Sequence, residues 1–392
     1  MKINKDDYFR NAIVVVGYNR YKSLLRLLNS LADAQYSEDV VLVISIDKSD
    51  DERVYSLARD FAWNHGNKYV NIHNIRLGLK EHIYQCGDLS KYFRSVTILE
   101  DDLYVSPHFY SYIKQAVNKY GNDDRIAGIS LYRNERNGFN GFPLYFLNNG
   151  NDVFAYQSTS TWGETFTYNM WNSFRIWLDS WNKDFTGVDT YDVIKTWDRA
   201  WSKYFEAYMI LNNKYFIYPY ISVSTNNNDP GEHATSTKTD NSCQVELLWG
   251  NKYYTMGDFD ALLKYDTYAQ SELLKSLFEE KDVIIDLNGN RENTETAKYL
   301  LTIRHLNKRI IKEYGIKLRP IELNVIQSIP GDDIFLYDMS INEKNVFRKS
   351  MNYVIADYYL RDFNFHALFI KTYKGLNIWE LLKRYTKRLL FG

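Results

Sequence analysis

The chain of 392 residues sets 48 Lys and Arg against 49 Asp and Glu, a formal net charge of −1. No global field therefore draws it to nucleic acid or to an anionic surface, and any charge-based function must be local. The length allows one large domain with an appendage or two ordinary domains, and the two cysteines, Cys86 and Cys243, match no metal-binding or redox spacing, which excludes a disulfide framework from the expectations.

The opening MKINKDDYFR is polar, with Asp6 and Asp7 where a signal peptide turns apolar, and no apolar run approaches a membrane span, so a cytoplasmic, reducing location is expected. From Ala12, AIVVVGYNRYKSLLRLLNSL reads as a β-branched strand, a polar turn and a helix with Leu24, Leu25, Leu27, Leu28 and Leu31 at helical spacing. The pattern returns with VVLVISID at Val40 and a helix over 51–65, then with YVNIHN at Tyr69 and a helix over 78–89. A fourth strand over 95–99 runs into three consecutive acids, Glu100, Asp101 and Asp102. Strands alternating with helices predict an α/β fold, a mostly parallel, Rossmann-like sheet flanked by helices, in which ligands bind beyond the carboxyl ends of the strands.

Further on, the spacing predicts a helix over 111–120, a strand over 126–131, helices over 168–181 and 189–211, and a strand over 216–225. The segment NNNDPGEHATSTKTDNS, 226–242, has the composition of a mobile loop, of the kind that forms lids beside sites. From about residue 266 the pattern changes, giving two expected regions: 1–265, and a mainly helical appendage over 266–392 that contains a strand-like DVIIDL.

Three adjacent carboxylates at a strand end repel one another unless a cation or many donors offset them. Hard divalent ions take oxygen ligands, so the triplet fits a Mg²⁺ or Mn²⁺ site completed by a diphosphate, and it fits a solvated, helix-capping loop equally well. ILEDDLYVSPHFYSYI, with a first strand ending in YNR, a second ending in ID and LGLKEHI between, resembles N-acetylglucosaminyltransferase I and its bacterial relatives, nucleotide-sugar glycosyltransferases of the GT-A fold. The resemblance covers roughly the first two-thirds of the chain.

Carried over, it implies a UDP-sugar donor, GlcNAc or another hexose, and inverting transfer to a glycan hydroxyl. Asp102, in a DXD-like EDD block, would bind the metal; Glu100 would contact donor-sugar hydroxyls, and Asp101 would lie near the ribose. Asp47 and His82 would meet the uracil ring, and Arg20 the ribose or phosphates. The family's general base falls in a Trp-Asp segment, here KTWDRAWSKYF, which makes Asp198 the candidate, with Asp189, Asp192 and Glu206 as competitors. Trp162 and Gly163 in STSTWGETF would approach the donor sugar, and His233 would be a second metal ligand or a lid contact. Each residue has a structural alternative: a cap for Asp47, an ion pair for Arg20, a satisfied histidine for His82 and core packing for the Trp197, Trp201 and Phe205 stripe.

The tail IWELLKRYTKRLLF, from Ile378, sets apolar residues on one helical face and Lys383, Arg384, Lys387 and Arg388 largely on the other, which fits either a peripheral contact with the inner membrane's cytoplasmic face or docking on the chain's own surface. The membrane reading points to a lipid-linked acceptor in bacterial surface polysaccharide synthesis, such as capsule. A non-catalytic nucleotide-sugar-binding or scaffold protein in a polysaccharide assembly complex is the alternative.

Overall fold

A computed structural model of the chain describes residues 2–139, 141, 143–227, 229–230, 243–278, 282–361 and 383. The first β-branched run forms β1 (Asn11–Gly17), buried at every position, as a strand covered on both faces must be. After a polar turn, α1 (Tyr21–Ala32) buries Leu24, Leu27, Leu28 and Leu31 against it. The alternation continues through β2 (Val41–Ile46), α2 (Glu52–Asp60), β3 (Lys68–Ile72), α3 (Leu79–Gly87) and β4 (Ser95–Glu100). β1 pairs in parallel with both β2 and β4, and β2 with β3. The register sets Gly17 beside Ile46 and Val16 beside Glu100, so the turn after β1, Asp47 and the acidic triplet emerge along one edge.

The chain then adds β5 (Leu103–Val105), α4 (Phe109–Tyr120), β6 (Ile126–Ser130), β7 (Val153–Tyr156), β8 (Glu164–Thr167), α5 (Tyr168–Ser180), α6 (Asp192–Lys195), α7 (Trp201–Leu211), β9 (Tyr215–Pro219), β10 (Ser224–Asn226) and β11 (Lys264–Tyr265). The main sheet has nine strands in the order β11-β7-β9-β6-β8-β4-β1-β2-β3, with β10 paired separately on β5. It is mostly parallel; β8 runs antiparallel to β4 and β6, and β7 antiparallel to β9. The α/β class read from the alternating pattern is therefore the observed one.

Two expected elements are divided. The helix expected over 189–211 breaks into α6 and α7 around a turn at 196–200, where Thr196 Oγ1 turns back to the Val193 carbonyl at 2.7 Å and Ala200 is extended. Thr and Asp compete with the helical ladder through such local bonds, and the apolar stripe concealed that competition. The strand expected over 216–225 splits into β9 and β10, leaving the main sheet after Pro219.

The mainly helical reading of the C-terminal region is corrected. After α8 (Glu272–Ser276), β12 (Val283–Asp286), β13 (Tyr299–Thr302), β14 (Lys308–Tyr314) and, beyond α9 (Glu322–Ile326), β15 (Ile334–Asn342) form a four-stranded sheet ordered β12-β13-β15-β14, followed by α10 (Met351–Leu360). β14, KRIIKEY, is a polar edge strand whose pairing with β15 has two register irregularities, so no clean two-residue alternation marks it. This sheet has its own core, including Ile285, Leu301, Tyr314, Val325 and Leu336, separate from the large core that ends with Tyr265. The basic tail from Ile378, except Lys383, lies outside the described residues. Among the described residues no helix is long and apolar enough to cross a membrane.

Candidate active site

The carboxyl edge of β1, β2 and β4 encloses a cavity of about 460 Å³. Tyr18, Asn19 and Arg20 enter it from the turn after β1, Asp47 from the end of β2, Arg76 and His82 from the approach to and body of α3, and Glu100, Asp101 and Asp102 from the end of β4. Trp162, Trp197 and Arg199 close the opposite side. The sheet thus brings Arg20, Asp47, His82, Glu100, Asp101, Asp102 and Trp162 together.

Arg20 is the cation that the triplet requires. It pairs with Asp101 and, at 3.1 Å, with Asp102. Burial disfavours the guanidinium charge, yet Asp101 and Asp102 outweigh it and hold Arg20 protonated. One cation does not neutralise three acids. Burial, opposed by Arg20 and reinforced by Asp102, pushes the Asp101 carboxyl up to about 6, and burial with the Asp102 charge holds Glu100 well above the usual carboxylate range. Behind them lies Glu164, 1 % exposed, both of its oxygens without a hydrogen-bond partner; burial and the nearby Glu100 charge favour its neutral form. The sequence reading passed over this fourth acid, which opens the short strand β8, ETFT, directly after Gly163.

Asp102 Oδ1 is buried and has no hydrogen-bond partner among the described residues, although Oδ2 is taken by Arg20. A buried carboxylate oxygen left open is costly unless something positive meets it. Asp102 therefore fits one ligand position of a divalent ion whose remaining positions are filled by phosphate oxygens and water. No cluster of three or more His, Cys, Asp or Glu able to hold a metal occurs among the described residues, and His233 lies outside them.

Asp47 is 3 % exposed and fully engaged: Oδ1 accepts from the backbone N–H groups of Lys48 at 2.8 Å and Leu77 at 2.9 Å, and Oδ2 from Gly78 N–H at 2.9 Å, with Arg76 Nε at 3.4 Å. It shapes the loop that leads into α3, leaving little accepting capacity for a uracil N–H. His82, 2 % exposed, meets Ser45 Oγ at 2.8 Å through Nε2; burial, with His73 close by, lowers its pKa to about 4, so it presents a neutral imidazole. The planar surface at this end is one that the sequence reading missed: the Arg76 guanidinium lies 3.2 Å above the centre of the Tyr18 ring.

Gly163 lines neither this cavity nor its neighbour. Its φ is +101°, and an added Cβ would stand 3.1 Å from Leu131 Cβ and 3.3 Å from Leu99 Cδ2, so glycine is required by the fold rather than by a ligand. Asp198 is not in the cavity wall either. Its side chain is 91 % exposed and paired with Lys203 at 3.1 Å, while its neighbours Trp197 and Arg199 line the cavity. Trp197, expected in the core with Trp201 and Phe205, is 41 % exposed, because the break before α7 turns it out of the stripe.

A second residue set missed in the sequence is a clasp on the chain leaving β10. Asp229 accepts from Ser23 Oγ at 2.6 Å and pairs with Arg26, and Arg20 donates to its carbonyl at 3.2 Å. These partners are about two hundred positions apart, so no local pattern marks them.

Fold and site together define an α/β protein with a cavity lined by acids and arginines at the carboxyl edge of its sheet. No family model and no curated protein matches the chain. Solved structures similar to it include S. aureus TarS 1–349 in complex with UDP-GlcNAc, at 14 % identity and a TM-score of 0.36 over 59 % of this chain and 62 % of that one. GalNAc-T7 with UDP, GalNAc and Mn²⁺ is similar at 12 % identity and a TM-score of 0.37 over 55 % and 43 % of the two chains. The chain spans less than two-thirds of either structure, and likeness this distant leaves function to be read from its own residues.

Proposed function

We propose that this chain is a metal-dependent, inverting glycosyltransferase of the GT-A fold that moves a sugar, GlcNAc or another hexose, from a UDP-sugar to a glycan hydroxyl in surface polysaccharide synthesis. The observation that carries the reading is Asp102 Oδ1, a buried carboxylate oxygen without a partner at a strand end, inside a cavity that also holds Arg20, Arg76 and Arg199. Acids and arginines in one cavity suit a ligand that brings both a cation and phosphates.

In this reading the Tyr18–Arg76 surface takes the planar base and neutral His82 faces one of its polar edges. Arg20 and Arg199 orient the diphosphate, Glu100 and Asp101 hold donor hydroxyls, and Trp162 walls the sugar. A divalent ion held by Asp102 would stabilise the charge that builds on the departing diphosphate. Asp198, on the turn between Trp197 and Arg199, is the proposed acceptor of the proton from the attacking hydroxyl. Glu206, its competitor, already accepts from the Thr190 and Thr267 hydroxyls through Oε1, at 2.6 and 2.8 Å.

The test is release of UDP from a panel of UDP-hexoses with Mn²⁺. The reading expects at least one donor to be hydrolysed or transferred by wild type and not by Asp102→Asn. UDP binding without turnover on any donor or acceptor would favour the scaffold alternative.

A further inference from the structure

A second cavity, of about 380 Å³, adjoins the first and shares Thr161, Trp162, Trp197 and Ser202 with it. A ligand in each would be separated only by this common wall. The two differ in charge. The first contains three arginines and an acid triplet, whereas in the second the Lys203 ammonium is already committed to the Lys195 carbonyl and Asp198, both at 3.1 Å, and Arg136 stands at the exposed rim. Among its described lining residues Lys203 and Arg136 are the only cations, and its floor is built from Asn137, Ser158, Thr159 and Ser160 together with buried Glu206.

One side of this cavity is aromatic. Phe139 stacks on Tyr191 with ring centres 3.9 Å apart and planes at 26°, and lies within 22° of parallel to Trp197 at 6.2 Å. Phe139 and Trp197 stay 42 % and 41 % exposed, an apolar surface that folding alone would bury. Electron-rich ring faces attract the partly positive C–H face of a pyranose, and hydroxyl and amide groups opposite them match its O–H groups. The volume is within the range of small-molecule sites.

We propose that the second cavity is the acceptor subsite and takes a neutral pyranoside, laid on the Phe139–Trp197 aromatic side and directed across the Trp162–Trp197 wall toward the donor. Its role as acceptor subsite rests on the glycosyltransferase reading; its ligand class rests on the cavity itself. Glu206, whose charged form burial disfavours, is held in the cavity floor by the Thr190 and Thr267 hydroxyls.

The experiment is saturation-transfer NMR on the full chain with UDP and Mn²⁺, using the methyl glycosides of glucose, galactose, mannose, N-acetylglucosamine and glucuronic acid, on wild type and Phe139→Ala. Phe139 is 42 % exposed, and the UDP affinity of the variant reports whether it remains folded. The expected result is transfer to at least one neutral glycoside, reduced about fivefold or more in the variant, while UDP affinity by calorimetry changes less than about twofold. Absence of transfer to every neutral glycoside, equal transfer in the variant, or preference for the glucuronide would overturn the proposal. Sugar binding that depends on Phe139 in a chain that fails to bind UDP would uphold the pyranoside site and remove the glycosyltransferase reading, so the two failures are distinct.

Discussion

Both sheets of this protein bury aspartate against arginine, and they do so to opposite effect. In the C-terminal sheet Asp286 is 0 % exposed and complete: it accepts from Asn290 and Arg291 N–H groups at 2.9 Å and from Thr302 Oγ1 at 3.3 Å, and forms an ion pair with Arg304 Nε at 2.8 Å. At the edge of the large sheet, Asp102 shares one arginine with Asp101 and leaves its buried Oδ1 without a partner among the described residues, in the cavity wall. A buried charge whose donors are all in place holds a fold; one left incomplete at a strand end is set for a ligand.

The largest effect expected from this contrast is loss of turnover, read in paired substitutions. Asp286→Asn removes the anion beneath Arg304, which is one-quarter exposed, and should cost about 2–3 kcal/mol in urea unfolding with UDP affinity unchanged. Asp102→Asn relieves repulsion among like charges and should leave stability within about 0.5 kcal/mol while abolishing turnover. Equal destabilisation by the two would break the comparison.

The next effect is on pH. His82 has a pKa of about 4 when folded against about 6.5 in an unfolded chain, so its contribution is present above 6.5 and lost as pH falls through 4. Glu322, at the junction of the two cores, is raised by burial to about 7 despite the Tyr265 hydroxyl, so its contribution is present below about 4.3 and lost as pH rises through 7. Each is worth roughly 3 kcal/mol over its window. Melting curves should show His82→Gln flattening the acid limb and Glu322→Gln the alkaline one; identical pH profiles in the variants would contradict these environments.

The smallest effect is at Gly163. Gly163→Ala should cost about 2 kcal/mol through its positive φ and crowding by Leu131, with the UDP dissociation constant unchanged. A tenfold loss of UDP affinity, about 1.4 kcal/mol, without loss of stability would return Gly163 to the ligand site.

The parallel strands were legible because β1, β2 and β4 are apolar runs bounded by polar turns, and their shared register then fixes where Arg20, Asp47 and the triplet meet. What Asp47 does there was not legible, because its partners are backbone groups of a loop thirty positions away. The Tyr18–Arg76 surface, the Asp229 clasp and the second cavity are likewise products of tertiary proximity. Of the C-terminal strands DVIIDL was legible as β12, whereas the sheet around it was not, because β14 is a polar edge with interrupted pairing; the 189–211 helix was over-extended because an apolar stripe outweighed Thr196 and Asp198.

The central claim, that Asp102 is incomplete without a ligand that brings its own cation, is tested most directly by calorimetric titration of the chain with UDP, with and without Mn²⁺, in wild type and Asp102→Asn. The account predicts binding in wild type that strengthens by about tenfold or more with Mn²⁺, more than 1.4 kcal/mol, and no such enhancement in the variant. UDP affinity that ignores both Mn²⁺ and the substitution, or no binding at all, would contradict it.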